Sequence, residues 1–176
     1  HADVARTLGI LDPTIPEQHP ERLALHYSMA GDPAAAAPMA LRAGERSLER
    51  SALVEAGYFL EQCLSALADA RVVSDTGALR LRALSALASV KRARLGIASE
   101  EVGQLGRQIL ELARVQGDTR AELLALSGLY SHALVGADYR MAEHWGEALL
   151  SAAAAANEPT YEMIGLRAVG VVALHR

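Results

Sequence analysis

The sequence predicts an all-α protein, a right-handed α-solenoid in which about nine helices pair as antiparallel hairpins. Ala and Leu dominate while aromatic residues make up 4%, and this composition favours helix over strand. The segments between breaks carry apolar residues at helical spacing. Related segments also recur at intervals of about forty residues, which is typical of a helical-hairpin repeat.

Clusters of Gly, Asp and Pro mark the predicted helix ends. In "GDP" at 31–33, Gly suits a left-handed C-terminal residue, Asp can cap the next helix and Pro suits its first turn. Loops of two to five residues predict antiparallel packing of consecutive helices. The predicted helices are 2–10, 17–30, 34–50, 52–71, 77–95, 99–116, 119–136, 139–157 and 160–175.

Two helix starts carry specific expectations. Thr119 and Glu122 have the spacing of a capping box, in which each side chain bonds a free backbone N–H. Pro38 lies well inside the helix that begins near Pro33, where it lacks an N–H and crowds an earlier carbonyl. That helix is therefore expected either to begin near Ala36 or to kink at Pro38.

Four similar segments define the repeat. They begin at Leu41, Leu81, Leu123 and Leu166, at intervals of 40, 42 and 43 residues. A second kind of segment alternates with them and ends at Leu64, Leu110 and Leu150. The constant order of two different elements predicts a repeating unit of two helices.

Helical periodicity places the first, fourth and seventh positions of each segment on one face. We expect these positions to be buried as a leucine stripe in all four segments, for example at Leu84 and Leu126. The opposite stripe has two interpretations, close packing or a ligand surface. Packing is favoured for Ser85 and Ser127. Exposure on a concave groove is favoured for the charged face, the candidate binding residues Arg42, Glu45, Arg46, Arg82 and Arg92.

The second helix of each hairpin carries small residues where a close crossing is expected, at Ala56, Gly106 and Ala142 with Gly146. Trp145 is interpreted as a filler between helices rather than a ligand platform. Cys63 aligns with Ile109 and is interpreted as a small core residue.

The sequence shows no catalytic motif. There is no phosphate-binding loop, no HExxH and no GxSxG, and no His pair has an evident third metal ligand. Net charge is −4 without a basic block, so direct nucleic-acid binding is not expected. One Cys and no long apolar run fit a cytoplasmic chain without disulfides or a membrane span. We therefore predict no catalytic residue, no metal site, no cofactor and no enzymatic activity for this chain.

Residues 20–67 resemble the start of the tetratricopeptide-like (TPR-like) repeat region of large bacterial signal-transduction ATPases. These include LuxR-type transcription regulators and adenylate or guanylate cyclases linked to an AAA-like (STAND-type) ATPase. The matching residues are Pro20, Leu23, Ala24, His26, Tyr27, Ala30, Gly31, Asp32, Arg42, Ala43, Gly44, Glu45, Glu55, Ala56, Leu60 and Leu64. Pro38, Val102 and a repeat longer than the standard 34 residues depart from that family.

The resemblance implies a domain organisation. Residues 1–16 would be the end of a preceding module or linker, and 17–176 a TPR-like repeat domain. Because the chain starts without Met and stops in an apolar helical pattern, we expect a fragment that continues beyond 176.

The resemblance also implies a function: a non-catalytic module of a signal-transduction ATPase, favoured to be a transcription regulator. Its partners would be a protein or small effector on the concave face and the neighbouring ATPase domain. The alternative is an oligomerisation scaffold of a nucleotide cyclase or similar protein, with a homodimer through 160–176. A stand-alone helical enzyme is a third, less favoured alternative.

Overall fold

The computed structural model describes residues 14–69 and 76–173, except for the side chains at 15, 172 and 173. All regular secondary structure within these ranges is helical, as the composition predicts. The helices are α1 (Ile15–Gln18), α2 (Pro20–Met29), α3 (Pro33–Glu49), α4 (Leu53–Leu67), α5 (Gly77–Leu95), α6 (Glu100–Gln116), α7 (Thr119–Val135), α8 (Tyr139–Ala156) and α9 (Pro159–Ala173).

These bounds confirm most of the predicted helices to within a few residues. The predicted helix 17–30 is instead two helices, α1 and α2, which separate at His19. Pro20 occupies the first turn of α2, where its missing N–H costs no helical hydrogen bond. The predicted helix 2–10 lies outside the described residues.

One interhelical turn occurs five times. A residue with positive φ follows the helix, and the next residue donates its N–H to the carbonyl five residues earlier, as Asp32 does to Tyr27 at 3.0 Å. This bond satisfies a carbonyl that the helix end leaves free. The positive-φ residues of these five turns are Gly31, Ser51, Gly117, Ala137 and Asn157, all within the described ranges. Near Gly136 the left-handed residue is therefore Ala137, with φ of 58°, and not the glycine.

Three of the turns end in an Asp that caps the next helix. Asp32, Asp118 and Asp138 each accept a hydrogen bond from the backbone N–H three residues on, at 3.0 to 3.1 Å. The capping-box expectation is wrong, since Thr119 is the first residue of α7 and Asp118 provides the cap. Glu122 instead accepts a hydrogen bond from Arg114 at 2.8 Å.

Helix α3 begins at Pro33 and continues past Pro38. The alternative start near Ala36 is therefore wrong. Pro38 removes one hydrogen bond from the interior of the helix, and the remaining bonds with the packing of α3 against its neighbours maintain the helix.

The chain divides into two compact units, unit 1 (residues 1–90) and unit 2 (91–176), with the boundary inside α5. In unit 1, α2, α3 and α4 pack in chain order, and α1 packs on α2. In unit 2, consecutive helices from α6 to α9 pack on one another. In unit 1 the short turns join α2 to α3 and α3 to α4, and in unit 2 they join the consecutive helices from α6 to α9.

Unit 2 repeats the turns of unit 1 with an offset of 86 residues, from Gly31 to Gly117 and from Ser51 to Ala137. By this measure the position that corresponds to Leu123 is Ala37, because each lies six residues after its turn residue. The repeat in the sequence instead matches Leu123 with Leu41, which lies one helical turn after Ala37. Both Ala37 and Leu41 are buried, since residues four apart share a helix face.

The buried stripe is confirmed in three segments, the first of which buries Leu41, Gly44 and Ser47 on α3. Leu81, Leu84 and Leu87 are buried on α5, and the equivalent three leucines are buried on α7. The prediction is wrong for the fourth segment, where Leu166 is 57% exposed on α9. Helix α9 buries Gly165 and Ala168 instead, through its close approach to α8.

Small residues mark the close crossings, as predicted. A Cβ placed on Gly146 would lie 3.0 Å from the Cβ of Ala168, and one on Gly106 would lie 2.9 Å from Leu129 Cδ2. Cys63 is completely buried, and Trp145 packs against a cluster that includes Tyr130 and Ala168. No helix of the described ranges is both long and apolar enough to cross a bilayer.

Candidate binding surfaces

Two surfaces of unit 1 have features of a binding site: the charged face predicted from the sequence, and an apolar groove that the sequence did not predict. On the charged face, Arg82 of α5 donates from Nη2 to both carboxylate oxygens of Glu45 on α3, each at 2.9 Å. Their side chains are 60% and 35% exposed, so solvent screens the pair. The pair joins α3 to α5 without closing the surface to solvent.

The other residues of the charged face have different surroundings. Arg46 donates from Nη1 to the Glu17 carbonyl at 3.0 Å, which ties α3 to α1. Arg42 is exposed and pairs with no described residue. Arg92 is also exposed but belongs to unit 2. Unit 1 therefore brings together Glu45 and Arg82, while Arg46 acts as a tether between helices.

The two serines for which packing is predicted, on the opposite stripe, differ in burial. Ser85 is exposed, so that interpretation is wrong for it, whereas Ser127 is half-buried. Ser89 donates to the Ser85 carbonyl at 3.2 Å and Ser131 to the Ser127 carbonyl at 2.9 Å. These bonds to the preceding turn occupy the hydroxyl protons within the helix.

The histidines of the described residues have structural partners. His19 lies 3.2 Å from Glu21, and His132 donates from Nδ1 to the Ile97 carbonyl at 2.8 Å. His144 contacts Trp145 edge to face with ring centroids 4.7 Å apart. No group of three or more possible metal ligands occurs in the ranges that the structure describes.

Among the residues that the structure describes, Cys63 has a strongly shifted pKa. Burial, and secondarily the charge of Glu45, raise the pKa of its thiol to about 11 from 9.0. The thiol is therefore protonated at neutral pH and, being buried, is not a nucleophile that solvent can reach.

The unit 1 groove lies between α2 and α4, over the N-terminal half of α3, and has a volume of about 500 Å³. Its floor is Ala36 and Ala40, both buried. Leu25 on one wall and Tyr58 on the other are 54% and 56% exposed. The full lining is Glu21, Arg22, Ala24, Leu25, Ser28, Gly31, Pro33, Ala36, Ala40, Tyr58, Phe59, Gln62, Ser65, Ala66 and Asp69.

Sequence reasoning missed this groove because its floor consists of alanines, which fit any helix. A signal was present in the run of small residues from Ala34 to Ala37, where the other repeats carry larger side chains. A second signal was Leu25, an apolar residue next to the buried face of α2 but outside it.

Comparisons with known proteins give one informative match. The chain is 34% identical over 143 residues to the uncharacterized protein R02095 of Rhizobium meliloti (strain 1021), and this match covers 80% of the chain. It covers only 14% of the relative, so the chain corresponds to a small part of a much longer protein. No family profile matches the chain, and no solved structure matches it.

Proposed function

We propose that this chain is a non-catalytic helical-repeat module that binds a protein or small effector within a bacterial signal-transduction ATPase, a LuxR-type transcription regulator being the favoured parent. The unit 1 groove is the observation that carries the proposal. A mostly apolar cleft of about 500 Å³ with a few polar groups at its rim has the size and lining of ligand sites in other proteins.

Two further observations support the proposal. The resemblance of residues 20–67 to the repeat region of such ATPases covers α2, α3 and α4, the helices that form the groove. The long relative also has room for other domains beside the matched segment. In the proposed arrangement the hairpins continue as a right-handed α-solenoid and the ATPase domain is a neighbour in the same chain.

The test uses the full-length protein that contains this chain. Ser28→Arg with Ala36→Glu would place an ion pair inside the groove, between its α2 wall and its floor, without changing the turns. We expect ATP hydrolysis in both proteins, with stimulation by small-molecule or protein fractions of the source cells only in the wild type. A full-length protein without ATP hydrolysis, or equal stimulation of both proteins, would contradict the proposal.

A second candidate function is oligomerisation, as in a scaffold of a nucleotide cyclase. The observation that favours it is the exposed apolar stripe on α9, where Met163 is 72% and Leu166 57% exposed. Light scattering on this chain and on one that is longer by a hairpin tests it. A dimer that persists in the longer chain and is lost on Leu166→Glu would support this function, and a dimer of the short chain alone would contradict it.

A further inference from the structure

The unit 1 groove has a counterpart at the equivalent place in unit 2. There a depression of about 490 Å³ is lined by Arg114, Thr119, Glu122, Ala148, Ser151, Ala152, Ala155 and Ala156. Subtraction of the 86-residue offset turns the first seven of these into Ser28, Pro33, Ala36, Gln62, Ser65, Ala66 and Asp69, all of which line the unit 1 groove. The repeat therefore builds the same cleft twice, and the side chains decide what each cleft can bind.

The two clefts differ most where a ligand would enter. In unit 2 the guanidinium of Arg114 donates to Glu122 at 2.8 Å, and this ion pair joins the α6 wall of the cleft to α7 at its floor. Ser28 and Ala36 occupy the equivalent positions in unit 1 and are too short to meet. Leu25 of unit 1 likewise stands where unit 2 has the charged Glu111. Unit 1 thus exposes apolar surface at positions that unit 2 fills with charge.

One charge at the rim of the unit 1 groove has no partner among the residues that the structure describes. Arg22 is exposed, and its guanidinium forms no hydrogen bond or ion pair with a described residue. Its neighbour Glu21 lies 3.2 Å from His19, so this acidic group already has a basic group beside it. The equivalent of Arg22 in unit 2 is the neutral Gln108. An unpaired cation next to an apolar cleft is complementary to an anionic group on an apolar molecule.

We propose that the unit 1 groove binds a small anionic amphiphile, with its apolar body over Ala36 and Ala40 and its anionic group at Arg22. This inference rests on the proposed function and names the chemical class of its effector. The volume suits a drug-sized molecule, and the walls supply apolar contact from Leu25 and Phe59. The groove runs along α4 from Tyr58 to Asp69, about 16 Å at the helical rise, so it accommodates an extended apolar chain.

The residues of the groove define which end holds the anion. Helices α2 and α4 each pack against α3 through a short turn, so they run in the same direction. Arg22, near the start of α2, is therefore at the same end of the groove as Tyr58. Asp69 lines the far end. The anionic group is expected at the Arg22 end, because Arg22 is the basic residue of the described lining.

The experiment compares decanoate with decanol as probes, both below their aggregation concentrations, by calorimetric titration of the chain and by displacement of the anionic fluorophore anilinonaphthalene sulfonate. Wild type is expected to bind decanoate more tightly than decanol. Arg22→Gln, which gives unit 1 the residue of unit 2, should weaken decanoate binding roughly tenfold and leave decanol binding unchanged. The matched control, Gln108→Arg in unit 2, should change neither.

Two variants test the apolar part of the groove. Ser28→Arg with Ala36→Glu reproduces the ion pair of unit 2 and should abolish binding of both probes. Leu25→Glu also installs the residue of unit 2, at an exposed site that folding tolerates, and should weaken both probes by tenfold or more. Circular dichroism verifies the helical content of each variant, and Leu25→Glu decides the result if the double variant does not fold.

Absence of decanoate binding to the wild type would overturn the proposal, as would equal decanoate affinity of wild type, Arg22→Gln and Leu25→Glu. Binding of an apolar peptide but of neither probe would overturn it in favour of a protein partner. A different result contradicts the proposed function: a full-length protein that shows no ATP hydrolysis, even if decanoate binds. Conversely, loss of stimulation in the groove variant without decanoate binding would contradict the ligand class alone.

Discussion

Units 1 and 2 share their turns but not the sizes of the side chains inside them. The central helix of unit 1, α3, buries small residues: Ala37, Ala40, Ala43, Gly44 and Ser47. At four of the five equivalent positions the central helix of unit 2, α7, buries larger ones, Leu123, Leu126, Leu129 and Tyr130, and at the fifth it buries Ala133. The comparison shows that turn geometry fixes the hairpins and the position of the cleft, of about 500 and 490 Å³ in the two units, while the side chains decide its chemical character.

The neighbouring helix partly compensates for the small residues of α3. Leu60 of α4 fills the space beside Gly44, where an added Cβ would lie 2.7 Å from Leu60 Cγ. In unit 2 the sizes are reversed, because Tyr130 corresponds to Gly44 and Gly146 corresponds to Leu60. Volume is thus exchanged between facing helices, which is how cores of different sequence reach similar packing.

The largest effect should come from making the core of unit 2 resemble that of unit 1. Leu126→Ala gives α7 the residue that α3 has at Ala40, and Leu126 is completely buried. Loss of its contacts and the resulting cavity should lower the free energy of unfolding by about 3 kcal/mol. Urea unfolding followed by circular dichroism measures this.

Leu124→Ala on the same helix is the matched control for Leu126→Ala. Leu124 is 53% exposed, so its truncation should cost about 0.5 kcal/mol or less. Equal losses for the two variants would mean that the buried face of α7 is assigned incorrectly.

A second prediction compares the helix crossings of the two units. A Cβ on Gly165 of α9 would lie 2.8 Å from the Leu150 Cα, which is backbone and cannot rotate away. Gly165→Ala should therefore force α8 and α9 apart and cost about 3 kcal/mol. Gly44→Ala should cost less, since it meets the side chain of Leu60, which can adjust its rotamer. Thermal and urea unfolding of both variants measure the difference.

Gly128→Ala controls for the helix propensity of alanine, because no atom outside its own helix backbone lies within 4 Å of the added Cβ. This substitution should stabilise unit 2 by about 0.5–1 kcal/mol. A stabilising effect of Gly165→Ala similar to that of Gly128→Ala would contradict the close crossing of α8 and α9.

A third prediction concerns alkaline pH and distinguishes the units through Cys63. Burial raises the pKa of this thiol from 9.0 to about 11, so the folded protein holds the proton more tightly than the unfolded chain. The stability from this difference is fully present below pH 9 and is lost as pH rises through 11. It amounts to about 2–3 kcal/mol. Unit 2 has Leu149 at the equivalent position and contributes no such dependence.

Cys63→Ala isolates the effect of the thiol. The difference in free energy of unfolding between wild type and this variant should be constant from pH 7 to 9 and shrink between pH 9 and 11. A difference that stays constant to pH 11 would show that the thiol is not desolvated.

The helices and their turns were predictable from sequence because their causes are local. Gly31 and Gly117 supply left-handed residues, and the following Asp residues can cap a helix, so a few residues determine each break. Ala137 was not predictable as the left-handed residue, because Gly136 precedes it and has the better intrinsic preference. The interhelical turn overrides that preference at a small cost in local conformational free energy.

The repeat register and the groove were less predictable, for a common reason. Positions four residues apart share a helix face, so Leu41 and Ala37 are equally good matches for Leu123 by periodicity. The groove exists because no large side chain covers Ala36 and Ala40. Helical periodicity gives no information about how far the neighbouring side chains extend. Glu45 and Arg82 were identified as exposed charges, but their pairing needs the position of α5 relative to α3.

The smallest predicted effect concerns a buried hydroxyl that unit 2 lacks. Ser47 of α3 is 1% exposed, and its Oγ has no hydrogen-bond partner in the described part of the chain, whereas unit 2 has Ala133 at the equivalent position. Ser47→Ala should raise the free energy of unfolding by about 1 kcal/mol, because it removes an unsatisfied polar group without leaving a large cavity. The reciprocal Ala133→Ser should lower it by a similar amount, both measured by urea unfolding. If Ser47→Ala destabilises the protein instead, the hydroxyl has a partner in the core, and small polar residues in α3 contribute to packing rather than weaken it.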